Sequence, residues 1–188
     1  MVYKFAVDEL MTKLRILSEE FDFAHQHDPI EHITSRVKQP GAILDKIGRK
    51  GVEPSLDTIR DQIEDIAGIR VVCPFVPDVY TVAEMLGGQD DVEIVKTKDY
   101  IAEPKPNGYR SLHLIVRIPV FLSDRVERVK VEIQMRTIAM DFWAAVEHKL
   151  FYKYDGEAPA DFAAELRVAA DTAADLDTRM NALYQRLH

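Results

Sequence analysis

Apolar residues recur at helical spacing over 3–23, where Phe5, Leu10, Leu14, Leu17 and Phe21 form one stripe, and they predict a helix there. Ile43, Leu44 and Ile47 give the same signal over 40–50. Shorter helices are predicted over 56–65 and 78–87, the second stopped by Gly87-Gly88. Strands are predicted at 68–74, 92–96, 112–119 and 129–136. The last has the clearest pattern: Val129, Val131, Ile133 and Met135 alternate with Lys130, Glu132, Gln134 and Arg136. One face of that strand is therefore apolar and the other polar. The polar face is either ordinary solvated surface or one wall of a site, and the alternation by itself leaves both open. A helix over 137–152, carrying Trp143, Val146 and Leu150, follows directly.

The tail from 159 to 187 has a stricter pattern. Phe162, Leu166, Ala169, Ala173, Leu176, Met180, Leu183 and Leu187 recur at alternating intervals of four and three, an a/d seam suited to helix-on-helix packing. The partner is either residues 3–23 or another subunit. Helices, then strands and helices in alternation, then helices describe an α/β (α+β) domain. Its core is a small mixed sheet of about five strands, flanked by helices and extended by the helices at 3–23 and 159–187. No repeat, low-complexity tract or Gly/Ser linker divides it, so residues 1–188 read as one domain.

Composition adds boundaries to that picture. A 47% apolar content over 188 residues supports a real core. No apolar run approaches the ~18 residues of a membrane span. The opening MVYKFAVDELMTK lacks the basic-then-apolar order of a signal peptide, so a cytoplasmic chain without membrane contact is expected. A lone cysteine, Cys73, excludes an internal disulfide and a cysteine zinc cluster. With 24 Lys and Arg against 32 Asp and Glu, the net charge of −8 argues at first against a polyanion ligand. The distribution reverses the argument. Arg36, Lys38, Lys46, Arg49 and Lys50 crowd one short segment with a single acid, Asp45, while acids gather in the tail. A basic cluster within an acidic protein suits a small, highly charged phosphate ligand.

Phosphoryl chemistry also calls for carboxylates that hold a divalent ion. Asp65 precedes the strand at 68–74, and Glu132 lies on the polar face of the strand at 129–136. If neighbouring strands carried them, the pair would resemble a nucleotidyltransferase metal site. The stretch from Lys105 to His113 adds a Pro-Asn-Gly turn, and then Tyr109 beside Arg110, a ring able to stack on a purine.

Four blocks in order make the chain resemble the synthetase domain of the RelA/SpoT family, in particular its short single-domain members, the small alarmone synthetases. They are SRVKQPGAILDKIGRK at 35–50, DIAGIRVVCPFV at 65–76, DYIAEPKPNGYRSLHLIV at 99–116 and VEIQMRTIAMDFWAAVEHKLFYKY at 131–154. The resemblance spans roughly 30–155. It implies a nucleotidyltransferase-like fold and transfer of the β,γ-pyrophosphate of ATP to the 3′-hydroxyl of GDP or GTP. The products would be AMP and ppGpp or pppGpp, made in the stringent response. It further implies that Arg36 and Arg70 hold the adenine and that Lys38, Lys46 and Arg49 bind the ATP phosphates. Asp65 would ligate Mg²⁺, and Glu132 would be a second metal ligand or the general base. Tyr109 would stack on guanine, with Lys105 and His113 near the acceptor nucleotide. A homotetramer formed through the flanking helices is expected.

Some positions depart from the family's pattern. Gly41-Ala42 lacks a hydroxyl often found near the phosphates, and Lys98 stands where many relatives carry Arg. His32 and Asp141 replace an aromatic and an amide that, in certain relatives, help bind pppGpp as an allosteric activator. His27-Asp28 resembles the His-Asp pair of the hydrolase domain in larger relatives. About thirty residues before the first block are too few for such a domain, so no hydrolase activity is expected. The basic patch also admits a binding module for nucleotide or single-stranded RNA. The two carboxylates weigh against it.

Overall fold

The computed structural model describes residues 1–51, 53, 55–151, 159 and 161–188. Its elements run α1 (Val2–His25), β1 (His32–Val37), α2 (Pro40–Lys50), α3 (Leu56–Gln62), β2 (Ala67–Cys73) and α4 (Val76–Gly87). They continue with β3 (Glu93–Asp99), β4 (Leu112–Phe121), β5 (Val126–Thr137), α5 (Ile138–Phe151) and α6 (Phe162–Leu187). The sheet order is β1-β2-β5-β4-β3, with β2 and β5 parallel and the other pairs antiparallel. This is the expected mixed α/β architecture.

Local chemistry explains most boundaries. α1 buries Leu10, Leu14 and Leu17 of the anticipated stripe together with Ala6 and Val7, while Phe5 and Phe21 are only half-buried at its rim. α2 starts at Pro40, whose missing N–H is not needed in a first turn, and stops at Gly51 in the left-handed region. Ser55 caps α3 by accepting from the Thr58 amide at 3.0 Å. α3 ends at Gln62 rather than continuing to 65, because Ile63 turns extended and packs with Ile66 against Ile47. Tyr152 of the predicted 137–152 helix and Ala160 of the predicted 159–187 helix lie outside the described residues.

The two faces of the sheet differ in character. Alternate residues of β2, β4 and β5 (Ile69 and Val71, Leu114 and Val116, Val131, Ile133 and Met135) join α1 and α4 in one buried core. The opposite face carries Arg36, Arg70, Glu132, Gln134, Arg136 and His113. Pairing registers place them there: Arg36 lies beside Gly68, Gly68 beside Glu132, Arg70 beside Gln134, and His113 beside Gln134.

Two features depart from expectation. β1 was not foreseen; its HITSRV sequence has no clear alternation, and only pairing with β2 makes it a strand. α6 lies against α5 and α4 and buries Leu166, Ala170 and Asp177, so only the start of the a/d seam, Phe162 and Leu166, turns into the core. Leu176, Met180, Leu183 and Leu187 of that seam remain half-exposed or more. No helix among the described residues is long and apolar enough to cross a membrane.

Candidate active site

Where β1, β2 and β5 meet, the polar face hollows into a cavity of about 150 Å³ lined by Thr34, Ser35, Arg36, Gly68, Ile69, Arg70, Glu132 and Gln134. A second cavity of about 480 Å³ shares Arg36 and Arg70 with the first and continues past Tyr109 and Arg136 to α5.

Asp65 sits three residues before Gly68, the residue paired with Glu132. Its Oδ2 accepts from the ammonium groups of both Lys38 and Lys46, the latter at 2.7 Å. Its Oδ1 is buried without a hydrogen-bond partner. Burial alone would push this carboxyl up, but the lysine hydrogen bonds and charges outweigh burial and hold it below the ordinary value. Glu132 is held down for a similar reason. Burial raises it, while His113 and the Gln134 amide lower it further, and the nearby Asp65 charge opposes them. Gln134 Nε2 donates to Glu132 Oε2 at 3.1 Å, and His113 Nδ1 stands 3.6 Å from Oε1.

The structure thus joins Asp65, Glu132, Lys38, Lys46, Arg36 and Arg70. Arg70 Nη1 lies 3.4 Å from Asp141, while its buried Nε lacks a partner. Arg49 is not drawn in. It is exposed, and its side chain folds back along its own helix, where Nε donates to the Asp45 carbonyl at 3.4 Å.

The acceptor-side candidates form a second group. The Asn107 side chain accepts from the Tyr109 amide at 3.1 Å, and Gly108 adopts φ +89, so the turn presents the Tyr109 ring. Lys105 Nζ stands 4.7 Å from the ring centroids of both Tyr100 and Tyr109. The Tyr109 hydroxyl meets His113 Nε2 at 2.8 Å. The two groups touch through His113, which bridges Tyr109 and Glu132.

Sequence reasoning did not assign site roles to Gln134, Arg136 or Tyr100. Period-two continuation from Glu132 points to the first two, since they share its face. Nothing local marks Tyr100. Asp141, considered for a different cleft, turns toward Arg136 and Arg70. His27 and Asp28 have structural partners instead of forming a metal pair. His27 meets Asp78 at 2.8 Å and Tyr184 at 3.1 Å, and Asp28 accepts from Ser18 at 2.5 Å. Cys73 is buried, and desolvation pushes its thiol up, away from reactivity.

The two-carboxylate arrangement fits Mg²⁺. The orphaned Oδ1 of Asp65 and the neighbouring Glu132 offer hard oxygen ligands, and such an ion fills its remaining positions with water and substrate phosphates. Among the described residues no group of three or more His, Cys, Asp or Glu comes together in a way that could hold a metal.

Comparison with known proteins agrees with this geometry. The GTP pyrophosphokinase YwaC of Bacillus subtilis is 52% identical over 180 residues, covering 96% of this chain and 86% of that protein. The crystal structure of small alarmone synthetase 2 from Bacillus subtilis superposes with a TM-score of 0.88 at 50% identity, covering 98% of this chain and 95% of that one. Small alarmone synthetase 1 from the same organism, bound to its product pppGpp, gives 0.88 at 41% identity, covering 99% and 94%. The family profile described as "Region found in RelA / SpoT proteins" matches residues 35–157, and this chain belongs to that family.

Proposed function

We propose that this chain is a GTP pyrophosphokinase that makes ppGpp or pppGpp, with AMP, from ATP and GDP or GTP. Residues 1–188 act as one synthetase unit, in the cytoplasm, in the stringent response. The observation that carries this reading is the meeting at Glu132 of a basic, carboxylate-bearing group and an aromatic one. Arg36, Arg70, Lys38 and Lys46 lie on one side, and Tyr109 and His113 on the other.

Arg36 and Arg70 hold the donor's adenine, and Arg70 has a free buried N–H to offer. Lys38 and Lys46 match phosphate oxygens as point charges. Arg49, which rests on the Asp45 carbonyl of its own helix, is an exposed charge on the same helix as Lys46. Tyr109 stacks on the guanine, with Lys105 beside its ring. Asp65 and Glu132 would hold Mg²⁺, which when bound neutralises charge on the phosphate oxygens. Glu132, held ionised by His113 and Gln134, accepts the proton of the acceptor's 3′-hydroxyl. The remaining catalysis is alignment and electrostatic stabilisation.

The exposed apolar faces of α5 (Ile138, Phe142 and Val146) and α6 (Leu176, Met180 and Leu183) support assembly, with a homotetramer as the expected form.

Incubation of purified protein with ATP, GDP and Mg²⁺, followed by anion-exchange separation, tests the reading. AMP and ppGpp form in equal amounts. Glu132→Gln lowers turnover by roughly 10²- to 10⁴-fold while donor binding persists. Release of inorganic phosphate in place of AMP, or full activity of Glu132→Gln, overturns it.

A further inference from the structure

We infer that Arg136 is a positioning residue that fixes both the Tyr109 hydroxyl and the Gln134 amide. The inference rests on the acceptor and base roles proposed for Tyr109 and Glu132. Arg136 shares the polar face with Glu132 and Gln134 yet is only 5% exposed. A buried guanidinium needs its N–H groups matched, and a fork of donors satisfies several acceptors in fixed directions. Nη2 donates to the Tyr109 hydroxyl at 2.6 Å and to Gln134 Oε1 at 2.9 Å. Nη1 donates to Asp141 at 3.2 Å, and Nε to Ser111 Oγ at 3.4 Å.

Two consequences follow from Arg136 being a donor only. The Tyr109 oxygen must accept from it, which leaves the phenol's single proton for His113 Nε2 at 2.8 Å. The ring proposed as the guanine platform is thus held at its far end by a charged donor and a histidine. Gln134, for its part, must turn its carbonyl toward Arg136. Its NH₂ then faces Glu132 Oε2 at 3.1 Å and supplies a donor to the base, where a flipped amide would supply a second acceptor. One guanidinium therefore sets the acceptor's platform and the environment of the base. Asp141 neutralises it from α5, and the same carboxylate oxygen lies 3.4 Å from Arg70 Nη1.

Lysine at 136 keeps the charge but loses the fork, so it cannot reach partners on several sides at fixed angles. Arg136→Lys should raise the KM for GDP about tenfold and lower kcat about tenfold, the scale of one charge-assisted hydrogen bond in each arm. Affinity for α,β-methylene-ATP should stay within about threefold of wild type, a split that general loosening of the fold would not produce. Tyr109→Phe keeps the ring and should reproduce the KM rise. Gln134→Met should reproduce the loss of kcat. These two variants carry the test if Arg136→Lys does not fold.

Arg136→Lys with both parameters within about twofold of wild type overturns the inference. So does a parallel loss of donor affinity. Tyr109→Leu with an unchanged KM for GDP would instead overturn the acceptor assignment itself. A raised KM for Tyr109→Leu with no effect of Tyr109→Phe or Gln134→Met refutes only the role given to Arg136.

Discussion

Gly108→Ala should damage both stability and acceptor use, because the Pro-Asn-Gly turn is pressed against α6. A Cβ at Gly108 would stand 2.4 Å from the Ala170 Cβ and 3.2 Å from Arg167 Cδ. Alkyl carbons rest about 3.5–4.0 Å apart, so the first contact is too short by more than about 1 Å. Arg167 can swing its side chain aside, but the Ala170 Cβ is fixed to the helix. The φ of +89 adds strain for any L residue. Overpacking of ~1–3 kcal/mol and left-handed strain of ~1–2 kcal/mol sum to about 3 kcal/mol. For a chain of this size that is roughly 9 °C in Tm. Tyr109 follows directly, so a turn pushed off α6 carries the ring with it, and the KM for GDP should rise about fivefold.

Thermal melts and initial-rate kinetics read both effects. The double variant Gly108→Ala/Ala170→Gly removes the clashing carbon at a helix-propensity cost of ~1 kcal/mol. It should nevertheless be more stable than the sum of the two single variants by about 1–2 kcal/mol. A Gly108→Ala protein melting within about 2 °C of wild type refutes the packing argument. A large Tm loss with an unchanged KM for GDP refutes the link from α6 to Tyr109.

Asp65→Asn leaves Lys38 and Lys46 facing each other without their shared anion and should cost about 2 kcal/mol at pH 7. Because the folded pKa of Asp65 is lowered, its contribution is present above the ordinary carboxylate value. It is lost as pH falls through the lowered one, so denaturant melts of the two proteins should stay apart down to the ordinary carboxylate range and converge only on further acidification. Asp177 shows the opposite sign: burial raises it, although Thr137 Oγ1 donates to it at 2.6 Å. Between the ordinary and raised values the folded chain holds a proton that the unfolded chain has released, so stability falls as pH rises through that window. Asp177→Asn keeps an acceptor for Thr137 and should gain about 2 °C at pH 8 with no gain at pH 3; a lower Tm at pH 8 would contradict this. On α6, Leu183→Glu combined with Leu176→Glu should lower the assembly state in light scattering while the monomer's circular dichroism is kept. An unchanged mass would show that this face is not an interface.

Periodicity alone specified α1, α2, α4 and α5 and four of the strands, because helix and strand spacing is a local property of the backbone that each segment carries with it. The same alternation isolated the polar face of β5, and the motif blocks placed Asp65, Glu132, Lys38, Lys46, Arg70 and Tyr109 in one functional proposal. Partner choice was beyond its reach. HITSRV became β1 only by pairing with β2, and of the α6 seam only the start docked, with Leu166 buried beside Ala170, while Leu176, Met180, Leu183 and Leu187 stayed outside. Lys46 and Arg49, three residues apart and on one side of α2, ended with different partners: Lys46 reaches Asp65, while Arg49 folds back onto the Asp45 carbonyl. The partners of Arg136 come from β5, α5 and the Tyr109 loop, so no local window contains them all. Spacing decides which face a side chain takes, and only long-range packing decides what that face meets.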